Sequence, residues 1–208
     1  MQVTAARRGP ATLDRVGQVP LPVGAVRDGE VGDRDAVVDA LRSLWSRHGF
    51  KGRKVQLGLA NQQVVVRQID LPTLPEADMR RSLPFQVQDS IPIPVEQAIL
   101  DYHRLGEWEG EDGQSTTRLL LIAAQRQMVE AIMTAVRRAK LVPVGLDLDA
   151  FPMLRSLAPP AAVDDVEGQL VLDLGAAVTN VVVQQGGVPH FVGILLMGGD
   201  AITEALMS

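Results

Sequence analysis

The stretch "LVLDLGAAVTNVVVQQGG", from Leu170 to Gly187, places an acidic residue and a Gly-Ala turn between two runs of aliphatic residues. The runs predict two β-strands, because β-branched residues favour strands and glycine permits a tight reversal between them. Burying an unpaired carboxylate costs roughly several kcal/mol, so we expect Asp173 to end its strand facing water, a metal or a polar ligand. The hairpin therefore predicts a site as well as a fold.

Composition limits the class of protein. The 208 residues, 46% hydrophobic and 22% charged, are enough to bury the core of one large domain or two small ones. The absence of cysteine excludes disulfides and thiol catalysis, and a net charge of −5 gives no electrostatic reason to expect nucleic acid. No apolar run approaches the roughly 20 residues of a membrane span. We therefore expect a cytoplasmic protein with no nucleic-acid partner and no direct membrane insertion.

The first part of the chain predicts a helix followed by sheet. "RDAVVDALRSLWSRHG" has helical periodicity, with Asp33 before it as the N-cap and Gly49 closing its last turn. "KVQLGLANQQVVVRQIDLP" predicts two strands, Val55–Ala60 and Val64–Leu71, joined by a polar turn.

The middle of the chain, from Leu71 to Asp149, predicts the order α, β, β, α, β. "LPEADMRRSLPFQVQDSI" predicts a helix that Pro84 starts late, kinks or splits. Two strands follow, separated by the loop "EWEGEDGQS" as in an antiparallel hairpin, and "RQMVEAIMTAVRRAKL" predicts a second helix. With "VPVGLDLD" as the last strand, this gives an α+β module of three strands covered by helices. A short helix, "AFPMLRSLA", and a linker, "PPAAVDDVEG", lead to the opening hairpin.

The order of these segments carries a resemblance to a known family. "VPLPVGAVRDGEV", "IDLPTLPEADMRRSLPFQVQDSIPIPVEQAILDY", "LLIAAQRQMVE", "AKLVPVGLDLDAFPMLRSL" and "LDLGAAVTN" together resemble the PilM family of type IV pilus assembly proteins, FtsA-like members of the actin-like ATPase superfamily. The resemblance implies an α/β chain with an α+β insertion, namely a partial actin-like (ribonuclease H-like) core with an SHS2-like 1C subdomain. It divides the chain into residues 1–70 (partial subdomain 1A), 71–149 (subdomain 1C) and 150–208 (the connecting helix and the start of subdomain 2A).

Both ends of the chain depart from the family pattern. "MQVTAARRG" lacks the "GxDxG" phosphate-1 strand, and the sequence stops at "ITEALMS", before the adenosine pocket. We therefore interpret the chain as truncated at both ends relative to the family. ATP and Mg²⁺ are the cofactors expected of the full-length family, and we do not expect this chain to form an autonomous ATP site or to act as an enzyme in this form.

The resemblance also implies a set of binding residues around the phosphate-2 hairpin. A Mg²⁺ ion would be held near Asp173 through water, and phosphate oxygens would meet backbone or hydroxyl groups of Gly175, Ala176, Thr179, Gly198 and Gly199. Each has a plainer alternative, such as a strand-ending Asp, a tight hairpin or a strand-to-helix turn. Asp147 and Asp149 are interpreted as a solvated strand face, and no residue is assigned a catalytic role.

Two functional classes follow. The first is a cytoplasmic scaffold of pilus assembly, which holds the N-terminal tail of the inner-membrane protein PilN in a groove between the core subdomain and 1C and so lies at the inner membrane through its partner. Self-association or a pilus ATPase are further possible partners. The alternative is an ATP-binding or ATP-hydrolysing actin-like enzyme, similar to FtsA or to the cytoplasmic domain of the type II secretion protein GspL. The apolar segment "LPFQVQDSIPIP" favours the scaffold.

Overall fold

A computed structural model of the chain describes residues 1–4, 11–110, 113–157 and 167–207. Packing divides the chain into two compact units, and each is described by itself. Unit 1 comprises Met1–Leu57 and Glu130–Leu146, and unit 2 comprises Gly58–Val129 and Asp147–Ser208. The three regions expected from the sequence stay a prediction, because units defined by packing do not test subdomain borders.

The described residues form both helices and strands. The helices are α1 (Arg34–His48), α2 (Glu76–Gln86), α3 (Arg126–Arg138), α4 (Ala150–Leu157) and α5 (Gly199–Met207). The strands are β1 (Gln2–Thr4), β2 (Thr12–Arg15), β3 (Val26–Arg27), β4 (Glu30–Val31), β5 (Lys54–Leu59), β6 (Val64–Pro72), β7 (Ala98–Glu109), β8 (Ser115–Gln125), β9 (Val142–Leu148), β10 (Gly168–Leu174), β11 (Thr179–Gln185) and β12 (Val188–Leu195). Among the described helices, none is long and apolar enough to cross a membrane.

Helix α1 of unit 1 has the ends that the sequence predicts. The carboxylate of Asp33 accepts the backbone N–H groups of Asp35 at 3.0 Å and Ala36 at 3.1 Å, satisfying two donors that the first turn leaves free. At the other end Gly49 adopts a left-handed conformation with φ of 60°, which suits glycine. Both predicted caps are confirmed.

The core of unit 1 lies between helices and a strand. Buried side chains of α1, of α3 and of the residues that follow α3 form one apolar cluster with half-buried Val55 and Leu57 of β5. Its fully buried members are Val38, Ala135, Val136, Ala139 and Leu141. Strand β5 pairs with β9, and β1 pairs with β2 in a separate two-stranded sheet. The amphipathic faces of two helices are thus covered by a narrow sheet.

Unit 2 contains a three-stranded antiparallel sheet in the order β6-β8-β7, with α2 on one face. The core between them consists of α2 residues, the residues that follow α2 and alternate residues of β7 and β8: Met79, Leu83, Val87, Ile91, Ala98, Leu119, Leu121 and Ala123. Because alternate residues of a strand point to one face, the side chains of Leu119, Leu121 and Ala123 in β8 lie against α2.

The third strand of this module is not the predicted one. The sequence prediction assigned "VPVGLDLD", which is β9, to the module, and this assignment is wrong because β9 pairs with β5. Strand β6 takes the place instead, aligned with β8 from Val64 opposite Ala124 to Pro72 opposite Thr116. A bidentate pair between Arg118 and Asp70, with oxygens at 2.8 and 2.9 Å, joins the two strands.

Helix α2 tolerates its proline. It begins at Glu76 and runs to Gln86, so Pro84 neither delays nor splits it, contrary to two of the predicted outcomes. Proline removes the N–H that would bond the carbonyl four residues earlier, but in the last turn little helix remains to be disturbed. The N–H of Val87 donates to the carbonyl of Leu83 at 3.1 Å and closes the helix end.

The hairpin of β7 and β8 is longer than predicted. Residues 107–109, expected in the loop, pair with residues 115–117 instead. Trp108 is held there because the guanidinium of Arg118 lies 4.8 Å from its ring centroid, a cation–π contact. The loop residues Glu111 and Asp112, the last residue of the predicted short helix (Ala158) and residues 159–166 of the predicted linker lie outside the described residues.

The opening hairpin belongs to a second sheet of unit 2, ordered β10-β11-β12. One face packs on α4 through the buried residues Ala150, Leu154, Val182 and Val192. Alternate residues of β10 point away from this core: Leu170, Leu172 and Leu174 are 61%, 49% and 69% exposed. The strand-turn-strand prediction for this stretch is confirmed.

Replacing Asp33 with alanine should lower the free energy of unfolding by about 1 kcal/mol, because two N–H groups of α1 lose their acceptor. Urea unfolding followed by circular dichroism measures the change. Asp39→Ala is the matched control, since Asp39 lies in the same helix and only forms an exposed ion pair with Arg42. Equal losses for the two variants would contradict the capping role.

Candidate functional site

The turn between β10 and β11 is tightly closed. Leu174 lies opposite Thr179, and the N–H of Gly175 donates to the carbonyl of Val178 at 3.0 Å. The three N–H groups inside this turn, those of Ala176, Ala177 and Val178, make no hydrogen bond within the described part of the chain. Successive free amides of this kind can bind an anion. The prediction named Gly175 and Ala176 as the backbone donors. In the structure the N–H of Gly175 is used within the turn, and the N–H groups without an acceptor are those of residues 176–178.

The outer side of the turn is joined to the start of α5. The carbonyls of Gly175 and Ala176 accept the N–H groups of Gly199 and Asp200, both at 2.9 Å. A Cβ on Gly198 would collide with the same two carbonyl oxygens, which explains why glycine is needed there. The N–H of Gly199 already has its acceptor in the turn. The phosphate contact expected of Gly198 and Gly199 stays a prediction.

Thr179 connects the hairpin to the segment before α5. Its side chain is 4% exposed, and its hydroxyl donates to the carbonyl of Met197 at 2.6 Å. A hydroxyl has one proton to donate, so the proton that would serve a phosphate is used within the protein. The predicted phosphate contact of Thr179 stays a prediction, whereas its structural bond is observed.

Asp173 ends β10 with an exposed carboxylate, as the sequence predicts. One of its oxygens accepts the side-chain amide of Asn180 at 3.2 Å. Asn180 is 3% exposed, and its own oxygen has no hydrogen-bond partner among the described residues. A buried polar oxygen therefore lies next to the Asp173 carboxylate.

Asp149 is a residue of this site that the sequence interpretation missed. Burial raises the pKa of its carboxyl group, and the nearby charges of Asp173 and Asp147 raise it further. The interpretation of Asp147 and Asp149 as a solvated strand face is wrong, because Asp149 is half-buried and Asp147 pairs with Arg155.

Gly58 leaves the space that the Asp149 carboxylate occupies in unit 2. A Cβ on Gly58 would collide with that carboxylate, and the N–H of Asp149 donates to the carbonyl of Leu59 at 3.0 Å. The signal was present in the sequence, since a glycine inside a strand such as "LGL" often marks a close approach by another group.

The donors around the hairpin fit one phosphate group accompanied by a divalent cation. The turn supplies free amides for an anion, and Asp173 supplies oxygens of the kind that a hydrated Mg²⁺ prefers. Neither Asp149 nor Asp173 forms an ion pair within the described ranges. The described residues also hold no group of three or more acidic, histidine or cysteine side chains able to bind a metal alone. A cation here would thus need water or a ligand to complete its coordination.

A second feature of unit 2 is a groove of about 490 Å³ along β7, which is an edge strand of the described sheet. Residues lining it include Leu83 and Pro84 of α2, Ile99, Leu100 and Tyr102 of β7, and Arg126. Leu100 and Tyr102 also contact the module core, whereas Ile99 alternates to the other face of the sheet. Because residues of both faces line it, the groove follows the strand edge.

One wall of this groove is held by a polar network on α2. The guanidinium of Arg80 bonds Glu76 at 2.8 Å and lies 5.2 Å from the ring centroid of Tyr102. Burial raises the pKa of Tyr102, and the nearby Glu76 carboxylate raises it further. The Tyr102 hydroxyl is therefore neutral at physiological pH.

The segment "LPFQVQDSIPIP" has one large apolar side chain exposed to solvent. Leu83, Val87 and Ile91 are buried in the module core, and Ile93 packs against it. Phe85 is 79% exposed. Among the large apolar side chains of this segment, Phe85 is the exposed one, and it follows Pro84 of the groove in the sequence.

Comparison with known proteins gives one family. The sequence matches the family described as "Type IV pilus assembly protein PilM" over residues 2–208. The fold is similar to that in the solved "PilM-PilN type IV pilus biogenesis complex", with a TM-score of 0.85 and 28% sequence identity, over 98% of this chain and 60% of that chain. This chain thus spans 60% of the length of that relative.

A more distant likeness concerns the fold alone. The cytoplasmic domain of EpsL, an inner membrane component of the type II secretion system of Vibrio cholerae, matches with a TM-score of 0.51 and 14% identity, over 88% of this chain and 64% of that chain. The predicted fold class, a partial actin-like core with an α+β insertion, is confirmed by these structural matches.

Replacing Asp149 with asparagine should raise the melting temperature at pH 7. The pKa of Asp149 is raised in the folded chain, so the folded state binds more protons than the unfolded state and stability falls as pH rises through that pKa. The gain should vanish below about pH 4, where the unfolded carboxyl is protonated as well. Calorimetric melting at several pH values measures it.

The matched control for this prediction is Asp89→Asn, which removes an exposed carboxylate of unit 2. It should leave the melting temperature unchanged across the same pH range. A loss of stability at pH 7 in the Asp149 variant would show that its carboxylate makes a favourable contact.

Proposed function

Because this chain belongs to the PilM family of type IV pilus assembly proteins, as its sequence predicts, we propose that it is a scaffold that binds the N-terminal tail of a PilN-type inner-membrane protein. The observation that carries the proposal is the likeness to PilM in the solved PilM-PilN complex, at 28% identity over 98% of this chain. Localisation follows from the partner: the chain lies in the cytoplasm and reaches the inner membrane through PilN.

The groove along β7 supports the proposal because it offers what an extended peptide needs. An edge strand presents unpaired backbone groups, and a peptide can add to it as a further strand with its side chains in apolar pockets. Here the apolar material is Ile99, Leu100 and Leu83, with Phe85 exposed beside the groove. The peptide tail would therefore gain main-chain bonds from β7 and apolar contacts from α2.

Charge at the groove is nearly balanced, which also suits an apolar tail. Arg80 is paired with Glu76 and lies near Asp101, and Arg126 donates to the carbonyl of Ala98 at 2.8 Å. The carboxylates of Glu76 and Asp101 balance the two guanidinium charges, so the groove has little net attraction for an acidic peptide. Binding should accordingly depend weakly on ionic strength.

A fluorescent peptide of the cognate PilN N-terminus should bind with micromolar affinity, roughly −8 kcal/mol, as measured by anisotropy. Ile99→Lys should weaken binding about tenfold or more, because a charge enters the apolar groove. Val144→Lys is the matched control, since Val144 is a strand residue of unit 1 that is 59% exposed and is not among the residues that line this groove. Circular dichroism confirms that both variants fold.

If neither this chain nor the chain extended to full family length binds the peptide, the scaffold proposal fails. Binding that is unchanged by Ile99→Lys would move the peptide away from the β7 groove while leaving the partner in place.

A second candidate function is nucleotide binding at the hairpin, favoured by the free amides of residues 176–178 and by the Asp173 carboxylate. These groups would hold one phosphate and a hydrated Mg²⁺. A triphosphate needs more charge neutralisation than one turn provides. We therefore propose a partial phosphate site and no ATP hydrolysis by this chain.

Titration calorimetry with ATP and Mg²⁺ should give a dissociation constant above about 0.1 mM, since one turn supplies only part of the clamp. Asp173→Ala should abolish any residual heat that depends on Mg²⁺, whereas Asp89→Ala should not. Micromolar binding that is lost in Asp173→Ala would make the nucleotide-binding reading the leading one.

A further inference from the structure

The two packing units differ in charge. Unit 1 holds 13 of the 20 lysine and arginine residues of the chain but only 7 of its 25 aspartate and glutamate residues. Unit 2 holds the remaining 7 basic and 18 acidic residues. The net charge of −5 is therefore the sum of a basic unit and a strongly acidic one. Such asymmetry between two parts of a chain is typical of a protein that meets a polyanion through one part only.

Six exposed basic side chains of unit 1 surround the C-terminal end of α3, and together they are called the basic surface: Arg42, Arg53, Lys54, Arg137, Arg138 and Lys140. Arg42 of α1 donates to the carbonyl of Arg138 at 3.0 Å, and Arg53 donates to the carbonyl of Lys140 at 3.1 Å. The N–H of Val142 donates to the carbonyl of Arg53 at 2.7 Å. These bonds bring α1 and the start of β5 to the turn that follows α3.

The charge of the basic surface is only partly neutralised. Asp35 pairs with Arg138 at 2.7 Å and Asp39 pairs with Arg42 at 3.3 Å, and all four side chains are exposed to solvent. The other four cations form no ion pair in the described part of the chain: Arg53, Lys54, Arg137 and Lys140. The surface thus keeps an excess of positive charge that faces solvent.

Lys140 has a backbone conformation that does not suit lysine. Its φ is 64°, in the left-handed region where helices usually end on glycine because a Cβ is disfavoured. By contrast, α1 ends on Gly49 with a φ of 60°. The chain therefore has a lysine where glycine would be more stable, which indicates a use for the ammonium group in solvent.

The basic surface fits a membrane better than a single-stranded nucleic acid. It includes an apolar side chain, since Val142 is 51% exposed two residues after Lys140, and apolar contact beside cations suits the headgroup layer. Single-stranded nucleic acids bind through exposed aromatic rings on which bases stack, and none of the described aromatic side chains of unit 1 is exposed. The choice of a membrane also rests on the proposed function, which brings the chain to the inner membrane.

We propose that the basic surface lies on anionic phospholipid headgroups, with its guanidinium and ammonium groups on lipid phosphates and Val142 against the headgroup layer. A cluster of about four or more cations is enough to attract a protein to an anionic bilayer. Unit 2, with its excess of carboxylates, is repelled by the same bilayer, so unit 1 meets the lipid. The contact adds to the binding of a PilN tail, because two weak contacts with one membrane reinforce each other.

Sedimentation with vesicles tests this contact without any PilN. Vesicles of phosphatidylglycerol and phosphatidylcholine in equal parts should bind the chain at about 0.05 M salt and release it at about 0.5 M, whereas phosphatidylcholine alone should not bind it. Lys140→Gly should weaken binding about threefold or more and raise the melting temperature by about 2 °C, because the ammonium group is lost and the backbone is relieved. A role of Lys140 in the fold alone would not weaken vesicle binding.

Arg137→Glu should weaken vesicle binding about tenfold or more, since it reverses one charge of the surface. Arg81→Glu is the matched control, because it makes the same charge change at an exposed helix residue of unit 2, and it should leave binding unchanged. Circular dichroism confirms that the variants fold.

Equal binding to the two kinds of vesicle overturns the proposal, and so does binding that neither Lys140→Gly nor Arg137→Glu weakens. Tighter binding to a DNA duplex at equal phosphate concentration, lost in the same variants, also overturns it, because the surface would then serve a nucleic acid. The vesicles contain no PilN, so the two proposals can fail separately. Peptide binding without vesicle binding overturns this inference and leaves the proposed function in place.

Discussion

Strand β8 is buried on both of its faces, and this constraint organises unit 2. Leu119, Leu120 and Leu121 are consecutive and are 0%, 1% and 0% exposed, so each face of the strand needs a covering layer. Helix α2 covers the face of Leu119 and Leu121, and Leu120 shares a small pocket with Phe151 and Leu154 of α4. A central strand must also be paired on both edges, which leaves β7 and β6 as the outer strands of the module. The open edge of β7 follows from this arrangement.

Local features of the fold could be predicted from the sequence, and long-range pairings could not. The cap at Asp33 and the hairpin at Gly175 depend on residues a few positions apart, so both can be predicted from the local sequence. The pairing of β9 with β5 depends on residues about ninety positions apart, and apolar alternation does not say which edge a strand will meet. The position of Asp149 was missed for the same reason, because its carboxylate lies against Gly58 and its pKa is raised by the charge of Asp173, both distant in the sequence.

The two functions proposed for unit 2 use different surfaces of it. The β7 groove presents backbone and apolar surface, which suits a peptide chain. The hairpin presents amides and carboxylates, which suit a phosphate with its cation. Several polar groups of the hairpin already bond within the protein, namely the Thr179 hydroxyl with the Met197 carbonyl and the turn carbonyls with the start of α5. The hairpin therefore has fewer free groups for a ligand than the β7 groove has for a peptide.

The two hydrogen bonds from Gly199 and Asp200 to the turn have a mechanical consequence. A displacement of the turn or of α5 alone would stretch both bonds. A ligand that displaced the turn would therefore also act on the start of α5. If a ligand at the turn changed the affinity of α5 for a packing partner, that partner would change the affinity of the turn for the ligand by the same factor, because binding coupling is reciprocal. The positions of the turn and of α5 are thus coupled through the segment that contains Gly198 and Gly199.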